Sequence, residues 1–136
     1  MNAARVFLDT AYIQALLNRN DGYHEKAMAL LPELRKTKEI WTTEAVLTEV
    51  GNTFSRSGRE TAVGYITSCY QADNITVVPV SAALFSQGLS WFSRHQDKEW
   101  GLTDCISMVV MNQQKLTVAF TADHHFEQAG FEIVLK

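Results

Sequence analysis

Scarcity constrains this chain before any motif does. Cysteine occurs twice in 136 residues, at Cys69 and Cys105. The two have no CxxC spacing and fall on apolar helical faces, which reads as buried, reduced thiols in a cytosolic protein. Proline also occurs only twice. Pro32 falls inside a helical pattern, so that helix is expected to kink or break near Leu31. No apolar run approaches the roughly 18 residues that a membrane span needs, which excludes a helical membrane protein. Met1 to Arg5 pass straight into a strand-like segment, so no secretory signal is expected. Repeats, low-complexity tracts and linkers are absent too, and residues 1–136 read as a single domain long enough to bury a real core.

A basic excess is also missing. The formal net charge is −3, from 12 basic and 15 acidic residues, whereas phosphate binders usually carry more positive charge than negative. Four of those acids sit where a cation would neutralise them, as argued below. Setting these four of the 15 aside leaves 11 acids against 12 basic residues, a nearly neutral surface. Net charge therefore neither excludes a polyanionic substrate nor supports one.

What the chain does have is alternation. Its composition, 46% hydrophobic and 20% charged, is that of a soluble globular protein. Short β-branched runs predict strands at Arg5–Leu8, Glu39–Thr42, Ile75–Val80, Leu116–Thr121 and Phe131–Leu135. Between them, Tyr23, Ala27, Leu30, Leu31 and Leu34 recur at helical spacing, as do Ala62, Tyr65, Ile66 and Cys69, and then Phe85, Gly88, Leu89 and Phe92. Continuously apolar strands separated by helices indicate an α/β domain whose mostly parallel sheet is covered on both faces.

That class gives four acids a common address. Asp9 closes the apolar run Val6-Phe7-Leu8, and Asp123 closes Val118-Ala119-Phe120-Thr121, so both lie at the carboxyl edge of the sheet. Asp104 opens a helix from about Thr103 to Gln114. A helix feeding a parallel strand starts at the carboxyl edge and, over about 18 Å, returns to the amino edge. Glu49 lies about two turns into the helix after the second strand, further away but with a longer reach. Ligands of open α/β sheets bind outside the carboxyl ends of the strands. Each acid also has an ordinary explanation. Asp9, Asp104 and Asp123 serve equally well as helix caps, worth about 1 kcal/mol each, and Glu49 as a solvated residue. Independent caps, however, need not share one edge, and acids brought together need a cation.

The segments Val6-Phe7-Leu8-Asp9-Thr10-Ala11, Thr48-Glu49-Val50, Asp97-Lys98-Glu99-Trp100-Gly101-Leu102-Thr103-Asp104-Cys105-Ile106-Ser107 and Thr121-Ala122-Asp123-His124-His125-Phe126 occur in that order and together resemble the PIN domain. The likeness is strongest to the stand-alone, VapC-like members and covers nearly the whole chain. The first segment alone is weak, and the stretch from Asp97 to Phe126 with Glu49 upstream is specific. The resemblance implies a three-layer α/β/α fold with a parallel five-stranded sheet in the order 3-2-1-4-5, and a metal-dependent ribonuclease. It carries the family's acidic positions onto Asp9, Glu49, Asp104 and Asp123. Asp97 matches a further acid of a subset of members, and is otherwise a loop or capping acid. Thr121 and Thr10 match supporting hydroxyls, and also fit caps. Gly101 departs from the Ser or Thr of many relatives, which removes a cap and not a ligand.

An all-oxygen ligand set favours Mg²⁺ or Mn²⁺. Zinc would want histidine or cysteine. His124 and His125, being adjacent, are expected to point apart and read as structural or surface residues, and His24 and His95 as solvated. The implied chemistry is in-line attack by an activated water on an RNA phosphodiester, leaving a 5′-phosphate and a 3′-hydroxyl. Arg56, Arg59, Arg94 and Lys98 lie near the acid-bearing segments as candidate phosphate contacts, though ordinary solvated faces explain them too. Trp91, Phe92 and Trp100 read as core. The VapC-like resemblance further implies a toxin restrained by a small antitoxin, often homodimeric, acting in the cytoplasm without a membrane. A haloacid-dehalogenase-like phosphatase would want a second Asp where Ala11 stands, and a receiver domain would want adjacent acids where Asp9-Thr10 stands. The remaining alternative is a PIN-like module that binds RNA or protein without cutting, and the intact acids speak against it.

Overall fold

A computed structural model describes residues 3–136; Met1 and Asn2, and so the first residues of the expected leaderless start, lie outside the described residues. Along the chain run β1 (Arg5–Leu8), α1 (Thr10–Leu17), α2 (His24–Lys36), β2 (Glu39–Thr43), α3 (Glu44–Thr53), α4 (Arg59–Gln71), β3 (Ile75–Val78), α5 (Ala82–Arg94), α6 (Leu102–Gln114), β4 (Val118–Phe120), α7 (His124–Gln128) and β5 (Glu132–Ile133). All five strands pair in parallel, in the order β3-β2-β1-β4-β5, and the helices flank the sheet in the three-layer arrangement that the alternation predicts. Val6, Phe7 and Leu8 are fully buried because β1 is the central strand with helices over both faces, which is why it reads as an unbroken apolar run.

From β1 the chain winds outward through β2 to β3, then returns to place β4 on the other side of β1. The winding reverses between β1 and β4, and a crevice opens there beyond the carboxyl ends of the strands. Leu8 pairs with Phe120, and the Asp9 amide donates to the Phe120 carbonyl at 3.1 Å. The register therefore sets Asp9 beside Thr121, with Asp123 two residues further on.

Three strands are shorter than the sequence predicts, each for a local reason. Pro79 follows Val78 and cannot donate to the ladder, so β3 stops there. Leu116 belongs to the end of α6. Lys115 takes a left-handed conformation (φ 57°) and the Leu116 amide returns to the Met111 carbonyl at 2.8 Å, a helix C-cap and not a strand start. Phe131 closes α7 in the same way, its amide donating to the Phe126 carbonyl at 3.0 Å after Gly130 at φ 95°. Helix α2 corrects the expectation at Pro32, because it runs unbroken from His24 to Lys36. The missing proline donor frees only the Met28 carbonyl, and Met28 is on the solvent side, 47% exposed, while Ala27 and Leu34 anchor the helix in the core.

Aromatic burial is also mixed. Trp100 is buried as expected, whereas Phe85, Leu89 and Phe92 stand exposed on α5. The buried side of α5 carries Leu84 and Gly88 instead. Gly88 is where α5 meets α6. A Cβ there would lie 2.5 Å from Ile106 Cγ1 and 3.3 Å from its Cα, closer than packed atoms approach. Gly88→Ala, although it raises helix propensity, is expected to destabilise the fold by about 1–3 kcal/mol through overpacking, read as a lowered urea midpoint. An unchanged midpoint would mean that α5 can move off α6 freely.

Candidate active site

Three of the four acids owe their place to a helix or strand end. Asp9 leaves β1 and caps α1, its Oδ2 accepting from the Ala11 amide at 3.3 Å. Asp123 caps α7, its Oδ1 accepting from the His125 amide at 2.9 Å. Asp104 lies in the first turn of α6 and its Oδ2 accepts from the Gly101 amide at 3.3 Å. Glycine brings no side chain to that N-terminus, so Asp104 provides the one side-chain link there. All three carboxylates therefore do make the helix-end hydrogen bonds that the capping explanation expects, and these bonds leave other carboxylate lone pairs free. Helix-end amides stabilise carboxylates, and the topology gathers these particular ends.

Together with Glu49 they line one open cleft of about 480 Å³, whose walls are Asp9, Thr10, Ala11, Gln14, Glu49, Asn52, Thr53, Asp104, Asp123 and His125. Hydroxyls tie the acids to one another. Thr121 Oγ1 donates to Asp9 Oδ2 at 2.8 Å and accepts from the Asp123 amide at 3.0 Å. Thr10 Oγ1 donates to Glu49 Oε1 at 2.8 Å, which reaches from α1 to α3. Glu49, an exposed residue of α3, is thus tied to the cleft wall at Thr10.

None of the ten lining residues is lysine or arginine, so the acids repel one another across the cleft. Burial pushes the Asp9 carboxyl up to about 7, and the Asp104 charge adds to the shift. Burial, and after it the Asp123 charge, holds Asp104 above the usual carboxylate range. Carboxylates from separate segments, Asp9 and Asp104 desolvated among them, lining one space without lysine or arginine, form a donor set that fits a hard divalent cation.

The other sequence candidates lie elsewhere. Asp97 is exposed and pairs with Lys98 at 3.3 Å, outside the cleft. Arg94 stands over Trp91 and lines a separate cavity, and Lys98 lines another beside Trp100 and Cys105. Arg59 Nε donates to the Ser55 carbonyl at 2.6 Å, and Arg56 is an exposed residue of the same turn. Cys69 and Cys105 are free and buried, as their positions predict.

The histidine expectation needs the largest correction. His124 and His125 do not point apart; their rings lie 4.6 Å from centroid to centroid. The Asp123 cap turns the chain so that His125 folds back over the acids, its Nδ1 3.4 Å from Asp104 Oδ2 and 3.2 Å from Asp123 Oδ1. His24 and His95 are bound as well, to the Ala15 and Trp91 carbonyls at 2.8 and 2.7 Å. Gln14, Asn52 and Thr53 were also missed. Their signal was available, because Gln14 is one helical turn from Thr10, and Asn52 and Thr53 one turn from Glu49.

With this geometry in hand, the relationships of the chain fall into place. The sequence model of the PIN domain matches residues 6–132. This chain belongs to the PIN domain family. Among curated proteins, the 23S rRNA-specific endonuclease VapC20 of Mycobacterium tuberculosis (strain ATCC 25618 / H37Rv) is 29% identical over 126 residues, which cover 93% of this chain and 95% of that protein. The crystal structure of Mycobacterium tuberculosis VapC20, described as a sarcin–ricin loop cleaving toxin, superposes with a TM-score of 0.82 over the same shares. VapBC2 from Rickettsia felis, bound to a DNA fragment from its promoter, shares the fold at 14% identity and a TM-score of 0.67, covering 96% of this chain and 97% of that one.

A stability measurement reads the buried acid directly. The folded Asp9 pKa lies above its unfolded value, so its contribution to stability is complete below about pH 4 and is lost as pH rises through about 7. Metal-free protein in chelator is expected to lose on the order of a few kcal/mol between pH 5 and pH 8 by denaturant unfolding. Asp9→Asn, which cannot titrate, is expected to flatten that part of the profile. An equally steep profile in the variant would place the pH dependence elsewhere.

Proposed function

We propose that this PIN-family protein is a metal-dependent endoribonuclease, a single cytoplasmic domain over residues 1–136 that acts as the toxin of a VapBC-type pair. One observation carries the reading: four carboxylates from four separate segments line one cleft that holds no lysine or arginine. The likeness to VapC20, named as an endonuclease and a toxin, extends over 93% of the chain and supports the same chemistry here.

In this reading Asp9, Glu49, Asp104 and Asp123 hold Mg²⁺ or Mn²⁺. The bound ion would polarise the phosphodiester and acidify the attacking water. Thr121 fixes Asp9 by its 2.8 Å hydrogen bond, and Thr10 fixes Glu49 in the same manner, so the acids are aimed before substrate arrives. Asp97, exposed and paired with Lys98, is not assigned to the ion. Arg56 and Arg59 follow the end of α3, whose Asn52 and Thr53 line the cleft, and are the better-placed pair for phosphates flanking the cut. A second cavity shares Glu49 and Asn52 with the cleft and continues past Phe85 and Thr103, offering the strand a path away from the reacting phosphate.

VapC20 is named for 23S rRNA, so a ribosomal RNA hairpin is the first substrate to try. A toxin role and the VapC-like resemblance bring with them a small antitoxin and a homodimer. No membrane partner is proposed, and among the described residues no helix is long and apolar enough to cross a bilayer.

Purified protein incubated with ribosomal RNA and Mg²⁺ or Mn²⁺ is expected to leave 5′-phosphate ends, with chelator abolishing cleavage. Asp104→Asn should lower the rate on the order of 100-fold or more while metal-free stability stays level or rises, since one repelling charge is gone. Intact cleavage with stability down by about 1 kcal/mol would reduce Asp104 to a cap. Metal-loaded protein that binds RNA but never cuts it would favour the binding-module alternative.

A further inference from the structure

The cleft contains one imidazole among its ten lining residues, His125. His125 Nδ1 lies 3.4 Å from Asp104 Oδ2 and 3.2 Å from Asp123 Oδ1, and Asp123, His124 and His125 bring their donor atoms within 4.8 Å of one another. We propose that His125 is a nitrogen ligand of the cation held by Asp104 and Asp123, and that it makes this centre select Mn²⁺ over Mg²⁺. The inference rests on the metal-dependent reading above and goes beyond it by assigning a ligand that is not an acid.

The spacing is that of shared ligands. Donor atoms on adjacent corners of an octahedron about 2.1 Å from its centre are about 3.0 Å apart. The two His125 distances sit just above that value, so small rotations of the imidazole and the carboxylates bring all three donors onto one ion. The position of His125 is fixed by its own backbone, because its amide donates to Asp123 Oδ1 at 2.9 Å and holds the ring on the cleft side of α7. His124 has a ligand atom within 4.8 Å of those of Asp123 and His125 but is exposed and does not line the cleft, so His125 is the imidazole that faces the acids.

Chemistry supplies the selectivity. Affinity for a nitrogen donor rises along the first-row ions from Mn²⁺ upward, Mn²⁺ being the weakest of them, whereas Mg²⁺ binds carboxylate, carbonyl and water oxygen and parts with its waters reluctantly. An all-acid centre would leave the choice to charge and size, and one nitrogen donor tilts it toward the transition ion.

A second role for His125 is an ion-pair partner that clamps the acids, and the two roles predict opposite signs. A clamp competes with any cation, so removing it would tighten Mg²⁺ and Mn²⁺ alike. A ligand contributes binding, so removing it weakens Mn²⁺ selectively. Direct titration of Mn²⁺ and Mg²⁺ by calorimetry is the test, on wild type and on His125→Phe, His125→Asn, His124→Ala and Asp104→Asn. For both His125 variants the Mn²⁺/Mg²⁺ affinity ratio is expected to fall about 10-fold or more, with His124→Ala within twofold of wild type. Pulsed EPR of bound Mn²⁺ is expected to show a coupled imidazole nitrogen that both His125 variants lack. Metal-free melting of each variant identifies any that fails to fold, and the nitrogen coupling in folded wild type decides independently of all of them. An unchanged ratio, or tightening of both ions, or no coupled nitrogen, overturns this proposal while leaving the metal centre standing, provided that Asp104→Asn still abolishes binding. Absence of any Mn²⁺ or Mg²⁺ binding to wild type, or binding indifferent to Asp104→Asn, overturns the metal-centre reading itself.

Discussion

The hydrogen bond from Thr121 to Asp9 joins the two strands between which the winding of the sheet reverses, and much of the site depends on it. It crosses from the residue after β4 to the residue after β1, buried, at 2.8 Å. The same hydroxyl accepts from the Asp123 amide. One threonine thus sets two of the four carboxylates, and the register of Leu8 against Phe120 sets the threonine. If the crossing shifted by one residue, the acids would turn to the wrong faces. Asp9 is 2% exposed, and so it depends on these donors for solvation that water no longer provides.

This organisation concentrates like charge at one edge, with no lysine or arginine in the cleft to offset it. Burial first, and like charge after it, hold the Asp9 and Asp104 carboxyls above the usual range. The rest of the fold resists that repulsion through a core that includes the fully buried Val6, Phe7, Leu8, Tyr12 and Phe126. A divalent ion would convert the repulsion into attraction, so the features that destabilise the empty cleft are the ones that would bind the ion. Helix-capping and ion-holding are compatible uses of the same atoms, because a carboxylate has more lone pairs than a single amide can engage.

Different parts of the molecule were legible in the sequence to different degrees. The α/β class with a covered parallel sheet follows from apolar runs such as Val6-Phe7-Leu8 alternating with helical periods, and the sheet order from the PIN resemblance alone. Strand ends were harder to place. Leu116 and Phe131 look like strand residues by composition, yet each closes a helix through a left-handed neighbour. Pro32 looks like a break, yet α2 continues through it, with Met28, whose carbonyl loses its donor, an exposed residue of the helix. Phe85, Leu89 and Phe92 recur at helical spacing, yet they face solvent, since periodicity identifies a stripe without saying what covers it.

For the site, the sequence by itself determined which acids stand at segment ends, and in a parallel α/β sheet that fixes their edge. Asp9, Asp104 and Asp123 needed only topology. Tertiary structure decided everything that depends on side chains crossing between elements. It tied Glu49 to the cleft wall at Thr10, left Asp97 and the candidate cations outside the cleft, and folded His125 over Asp104 and Asp123. The physical reason is one of range. Backbone periodicity and capping are local and can be read from neighbours in sequence, whereas a ring placed 3.2 Å from one carboxylate and 3.4 Å from another depends on how α6 and α7 meet, which no local pattern encodes.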